Sequence, residues 1–388
     1  MHLSSYLVLE DGTVFRGKSF GYPPPKACEL NSAIVLGKAA GEVVFNTGMT
    51  GYHETLTDPS YTGQIVTMTY PHIGNYGDDD VWSETGPEDR GKRSGIKAAG
   101  LVVRSVYAGM VASQRNTLAF FLKTHQTPGM TDIDTRALTL RIRDKGSPNA
   151  VIVQPSHTSG ILKDSEIRLC MEYLSSFPKM EGRDLIGEVG TEKIEVVGPE
   201  SAAVHFVLVD CGVKANIVRE LINRKCRVSL VPARTASHDI LQLNGDAVLF
   251  SNGPGDPAVL QHQIKVITEL IGKIPLFGIC LGHQLLSLGL GGRTFKMKFG
   301  HHGINHPVRD EITKRVFVTS QNHGFAVDAE TLPGDTRLWF TNANDKTLEG
   351  IIHKKLSIMS VQFHPESAPG PCDSTWIFDE YLKAAARR

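Results

Sequence analysis

The 388-residue chain has no net charge, because 41 Lys and Arg balance 41 Asp and Glu. Nucleic-acid binders and proteins held on anionic membranes carry a basic excess, so neither kind of partner is expected. No apolar run is long enough to span a bilayer, and the best stretch, residues 277–290, is broken by His283, Gln284 and several glycines. Residues 1–11 have no basic segment and reach acid early, so no secretory signal is expected. Cysteines are few: Cys28, Cys170, Cys211, Cys226, Cys280 and Cys372 lie scattered without paired spacing. That argues against a disulfide framework or a zinc site and for a reduced, cytoplasmic setting. No Gly-x-x-x-x-Gly-Lys-Ser/Thr loop occurs, so a phosphate cradle of that type is missing.

What remains is a soluble globular chain, 41% apolar and 21% charged, long enough for two or three domains. Residues 1–187 are rich in Gly, Thr and Tyr, with short β-branched runs at 6–10, 42–46, 64–70 and 100–106 that read as strands. Residues 23–25 and 78–80 mark loops, and 84–97 reads as a polar connection. An acidic stretch with Gly-Pro punctuation, 188–203, reads as a linker. From 204 to 388 strands and helices alternate: strands at 205–210, 227–232, 246–252 and 274–278, helices at 214–225 and 261–271. This rhythm predicts an α/β domain with a doubly wound, mainly parallel sheet, preceded by a β-rich α+β domain. Active sites of such sheets lie beyond the strand carboxyl ends.

Cys280 falls at one of those ends, in Gly278-Ile279-Cys280-Leu281-Gly282. Gly-x-Cys-x-Gly between a strand and a helix is the thiol form of a nucleophile elbow, and a thiol at a helix N-terminus is polarised toward thiolate. A buried core cysteine is the alternative reading of this motif alone. Downstream, an apolar run leads to His364-Pro365-Glu366, which taken alone reads better as a structural histidine. Paired with the elbow, it makes Cys280, His364 and Glu366 a candidate triad. Residues 251–257, Ser-Asn-Gly-Pro-Gly-Asp-Pro, form either a simple tight turn or a loop whose N–H groups approach a substrate closely.

Together, residues 251–257, 277–284 and 362–366 resemble the triad-type (class I) glutamine amidotransferases. The segments 297–308, 321–327 and 367–371 narrow the resemblance to the carbamoyl-phosphate synthase small chain. In the first half, residues 42–52, 56–61, 70–75 and 131–138 resemble that family's own small-subunit domain. Nearly the whole chain is covered. Two stretches depart from the pattern, 23–36 and 84–97, both in expected loops.

The resemblance implies that Cys280 attacks the side-chain amide of L-glutamine, that His364 moves the proton, and that Glu366 orients His364. It further implies glutamine contacts at Ser60, Gly253, Gly255, Leu281, Gln284, Asn322, Gly324 and Phe325. No cofactor is implied in this chain; ATP and metal ions are expected in a partner, the large synthetase subunit. That partner would use the ammonia to make carbamoyl phosphate for arginine and pyrimidine synthesis, docking on the 1–187 domain. The histidines 301, 302, 306 and 323 invite a metal reading. Gly and Pro interrupt them and no Cys or carboxylate completes a ligand set, so loop packing and hydrogen bonding are the expectation. His283 is ranked behind His364, because its helix carries it away from the strand ends. Three other readings compete: a subunit of a different glutamine-dependent ligase, a free-standing γ-glutamyl hydrolase, and a non-catalytic scaffold.

Overall fold

The computed structural model describes residues 4–30, 38–85 and 95–386. It divides into two units, Met1–Ser83 with Gly95–Met180, and Glu84–Ser94 with Glu181–Arg388. The expected oddities at 31–36 and 86–94 lie outside the described residues.

In the first unit, β1 (Ser4–Leu9), β2 (Val14–Gly21), β3 (Ala40–Asn46) and β4 (Gln64–Met68) are followed by β5 (His72–Ile73), β6 (Gly100–Val102), β7 (Ser105–Val106), β8 (Pro128–Thr131) and β9 (Asn149–Val153). Seven of them close into a barrel in the order β1-β2-β8-β6-β4-β3-β9, while β5 pairs with β7 apart from it. Closure removes the unpaired edges that short strands would otherwise expose. The helices are α1 (Tyr52–Thr57), α2 (Leu118–Thr124), α3 (Thr135–Lys145) and α4 (Asp164–Ser175). Side chains start two of them, Thr117 accepting from the Phe120 N–H and Asp134 from the Ala137 N–H. Cys170 and Leu174 of α4 pack with Tyr6 and Val8 of β1 in one buried cluster.

The second unit holds a ten-stranded sheet. Its strands are β10 (Glu195–Val197), β11 (His205–Asp210), β12 (Arg227–Pro232), β13 (Ala247–Phe250), β14 (Leu276–Ile279), β15 (Arg293–Asp310), β16 (Val316–Asp328), β17 (Arg337–Asn342), β18 (Leu348–His353) and β19 (Ile358–Val361), in the order β10-β12-β11-β13-β14-β19-β18-β17-β15-β16. The segment β12-β11-β13-β14-β19 is parallel. Its helices are α5 (Ala215–Asn223), α6 (Ser237–Gln242), α7 (Gln261–Leu270), α8 (Leu281–Gly289) and α9 (Ile377–Ala385). Phe206 and Leu208 of β11 pack with Ile217 and Leu221 of α5 and Phe378 and Tyr381 of α9. Val207 and Val209 pack instead with Ile267 of α7 and Leu285 of α8. Period-two alternation along one strand thus feeds helices on both faces, the doubly wound arrangement expected of a buried parallel strand.

Two features differ from the sequence reading. The parallel segment continues into an antiparallel arm, β18-β17-β15-β16, whose long strands are interrupted by register shifts between Lys296 and His301 and between Gly303 and His306. Bulges break the period-two pattern by which such strands are read. The expected linker 188–203 is also not a free linker, and the division falls at Met180/Glu181 rather than after 187. Ile186 joins the core of the second unit, the Thr191 N–H donates to the Asp210 carboxylate at 2.8 Å, and β10 pairs antiparallel with β12. An edge strand needs few apolar residues, so its acidic flanks read as loop.

Candidate active site

The strands β11, β13, β14 and β19 end side by side, and their carboxyl ends carry Asp210, Ser251, Cys280 and Gln362–His364. Cys280 sits between β14 and α8 with φ 54° and ψ −103°, a conformation uncommon for a residue with a side chain. Its N–H donates to the Val361 carbonyl at 2.9 Å, which ties the turn to β19. The next glycine is sterically required. A Cβ on Gly282 would lie 2.0 Å from the Phe250 carbonyl oxygen, and the Gly282 N–H donates to the Ser251 carbonyl at 3.0 Å. Gly253 is equally confined, since a Cβ there would lie 2.1 Å from the Cys211 carbonyl. These close approaches bring the 251–257 loop against the first turn of α8.

The thiol is buried. The Asn322 carbonyl and Gln362 Nε2 each lie 3.6 Å from its Sγ. His364 follows β19, its N–H donating to the Ser320 carbonyl at 2.9 Å. The Ser367 N–H returns to the His364 carbonyl, closing a turn over Pro365 that sets Glu366 Oε1 2.7 Å from His364 Nδ1. His364 Nε2 is buried, and its ring interacts with Cys280. Burial pulls the His364 pKa down, but the charges of Glu366 and Cys280 outweigh it and hold the ring up at about 10. Glu366 is pushed up by burial and more strongly down by Lys214 and His364, to about 2. The couple is therefore built to carry an imidazolium beside the thiol.

Lys214 was not anticipated, being read only as the first residue of the helix 214–225. It is 1% exposed, with Nζ 3.0 Å from Glu366 Oε1 and donating to the Ser367 carbonyl. Glu84 joins this buried network. Its carboxylate accepts from the Asn216 N–H at 3.2 Å and lies 3.3 Å from Arg219, and burial raises it to about 7 against the pull of Lys214 and Arg219. No local sequence signal marks either residue, since both act through partners far along the chain.

Of the expected glutamine contacts, Gly253, Gly255, Leu281, Gln284, Asn322, Gly324 and Phe325 all belong to the second unit. Gln284 donates to the Phe325 carbonyl at 2.8 Å and to Gln362 Oε1 at 3.1 Å, so α8, β16 and β19 are clamped at the thiol. The Asn322 side chain is held by His302 Nδ1 at 2.9 Å. Ser60 belongs to the first unit, in a 3-10 turn where its N–H donates to Asp58. His283 points to Ser360 Oγ at 2.9 Å, and burial lowers it to about 3, away from a base's role at the thiol. The histidines 301, 302, 306 and 323 lie on paired strands rather than in loops, and Glu349 of β18 meets two of them. Burial lowers His301, but hydrogen bonding and charge from Asp345 and Glu349 outweigh this and raise it to about 9.

A thiol on a strand–helix elbow, a histidine–carboxylate couple on the adjacent strand and a close-packed Gly-Pro-Gly loop define a thiol amidohydrolase of the doubly wound class. The class-I glutamine amidotransferase family model matches residues 207–384, and the model of the carbamoyl-phosphate synthase small-chain CPSase domain matches residues 7–152. The small chain of carbamoyl phosphate synthase from Methanocaldococcus jannaschii is 47% identical, over 100% of both chains. The small chain from Neisseria meningitidis serogroup B is 44% identical, again over 100% of both, and that from Escherichia coli K12 is 43% identical over 98% of this chain and 97% of its own. The chain belongs to the carbamoyl-phosphate synthase small-chain family and is an enzyme subunit bearing a glutamine amidotransferase domain.

Proposed function

We propose that Cys280, His364 and Glu366 hydrolyse L-glutamine and that the ammonia passes to a large synthetase subunit. The observation that carries this is the 2.7 Å His364–Glu366 couple set beside an elbow thiol. His364 Nε2 carries the proton taken from the thiol, and the thiolate Sγ so formed attacks the amide carbon. The tetrahedral oxyanion accepts from the Leu281 N–H and from the loop of Gly253 and Gly255. His364 then protonates the leaving amine, ammonia departs, and water hydrolyses the γ-glutamyl thioester to glutamate, regenerating the thiol. Gln284, Asn322, Gly324 and Phe325 position the substrate. Lys214 holds Glu366 ionised and is a positioning residue. No cofactor takes part in this half-reaction.

Ammonia released into water becomes ammonium, which is not a nucleophile, so a closed passage to the partner is the chemically sensible route. We place ATP, metal ions and bicarbonate activation in that partner, and its docking surface on the first unit. The product would be carbamoyl phosphate for arginine and pyrimidine synthesis. A reduced, cytoplasmic setting fits six free cysteines, one of them this nucleophile. No helix among the described residues is long and apolar enough to cross a membrane.

The test is co-expression with a large subunit, comparing wild type and Cys280→Ala with glutamine or ammonium as nitrogen donor. The variant is expected to lose glutamine-dependent synthesis and keep ammonium-dependent synthesis. Survival of both activities, or no carbamoyl phosphate from either donor in the wild type, overturns the reading.

A further inference from the structure

Behind the strand that presents Asn322 and Phe325, a buried set of side chains serves no step of glutamine hydrolysis. His301 of β15 and His323 of β16 are register partners, with rings 4.9 Å apart and nearly perpendicular. Glu349 of β18 joins them, fully buried, and one ligand atom from each of the three lies within 4.8 Å of the others. His301 Nδ1 faces Glu349 Oε1 at an ion-pair separation of 3.4 Å. That separation is close to the edge, about 3.3 Å, of a tetrahedron with metal–ligand bonds near 2.05 Å.

The surroundings prepare each atom as a ligand. His323 Nδ1 lies 2.8 Å from the Phe325 carbonyl, which places the proton on Nδ1 and leaves Nε2, buried and without a hydrogen-bond partner, as a lone pair. His301 Nε2 lies 2.8 Å from Asp345 Oδ2, which leaves Nδ1 facing Glu349. Glu349 accepts from Gln321 Nε2 at 2.8 Å and from Asn342 Nδ2 at 3.0 Å. Imidazoles oriented through their second nitrogen, one of them by a carboxylate, and a carboxylate oriented by amides are the outer supports that metal ligands need. Asp345, whose side chain is 43% exposed, marks the solvent side.

We propose that His301 Nδ1, His323 Nε2 and Glu349 bind a zinc-class divalent ion, with water in the fourth position. Two imidazoles and one carboxylate suit a borderline cation such as Zn²⁺ better than Mg²⁺ or Ca²⁺, which favour oxygen ligands. Closing the set from separations within 4.8 Å to tetrahedral spacing takes a displacement of up to about 1.5 Å. The ion would clip β15, β16 and β18 together beneath the glutamine-binding strand, a structural role separate from the thiol chemistry.

The active-site thiol is a competing metal ligand, so the experiment uses the full chain carrying Cys280→Ser, stripped with chelator and supplied with Zn²⁺ or Co²⁺. One equivalent of metal should remain after gel filtration, Co²⁺ should give the visible absorption of a tetrahedral site, and Zn²⁺ should raise the thermal midpoint. Glu349→Gln and His301→Gln should weaken binding more than about 100-fold, and Asp345→Asn, which removes only an outer support, roughly 10- to 100-fold. Asp345 lies at the rim, so its variant keeps the test sharp if the buried substitutions fail to fold. Absence of stoichiometric uptake overturns the proposal, and would leave His301 as an imidazolium ion-paired to the two carboxylates. Uptake that requires Cys280, or that is unchanged by Glu349→Gln or by Asp345→Asn, overturns it as well.

Discussion

Replacing Lys214 by Met tests whether the triad carboxylate is kept ionised by a buried cation. Met fills much of the same volume, so the change removes a charge rather than a packing element. Lys214 lies 3.0 Å from Glu366 and is the largest cause lowering that carboxyl from 4.5 to about 2, against the opposing effect of burial. Removing one partner of a buried pair costs ~3–5 kcal/mol, so a loss of about 3 kcal/mol is expected. Glu84 does not add to the loss, because burial already raises it to about 7 and it can stay protonated. For a unit of this size, about 3 kcal/mol lowers the thermal midpoint by roughly 6–12 °C. The assay is tryptophan fluorescence in a Trp82→Phe background, which leaves Trp339 and Trp376, both in the second unit. The acid limb supplies an independent readout. The folded pKa of Glu366 is depressed, so its stabilisation is present above the unfolded value and lost as pH falls toward about 2. In the Met variant less of that stabilisation exists, so the fall in stability below the unfolded value should be smaller and complete at higher pH. A variant within about 1 kcal/mol of its parent, with an unmoved acid limb, would refute the coupling.

His364 behaves with the opposite sign. Its folded pKa stands above the unfolded value, so the stabilisation is complete below about 6.5 and is lost as pH rises through about 10. Glu366→Gln removes the largest raising influence, and denaturation measured from pH 6 upward should show a smaller alkaline loss that is complete at least about one unit lower; an identical profile would contradict the assigned pairing. Gly282→Ala would press a Cβ to 2.0 Å from the Phe250 carbonyl, backbone against backbone. The expected cost is at or above the ~1–3 kcal/mol typical of overpacking, with Cys280 displaced. Thermal melting and the rate of Cys280 alkylation measure both effects, and wild-type values would mean that the elbow tolerates a side chain.

Much of the second unit was legible residue by residue. The strands 205–210 and 227–232 stand where the apolar runs placed them, because buried parallel strands are continuous apolar segments bounded by turns. Cys280 is legible for a related reason: the elbow needs small residues on either side, and that requirement is local. His364 and Glu366 lie two residues apart, so their couple is also written in short range. Strands β15 and β16 resist such reading, since bulges break their period and their pairing is set by tertiary contacts.

The sequence by itself determined the strand–helix rhythm, the elbow and the nucleophile, because steric and hydrophobic constraints act between neighbours along the chain. Only the tertiary structure decided what surrounds them. Lys214 reaches Glu366 across 152 positions, Glu84 enters the same buried network, and Glu349 completes a cluster with His301 and His323 from another strand. Charge and ligand geometry are properties of distance in space, and in this protein the fold sets those distances.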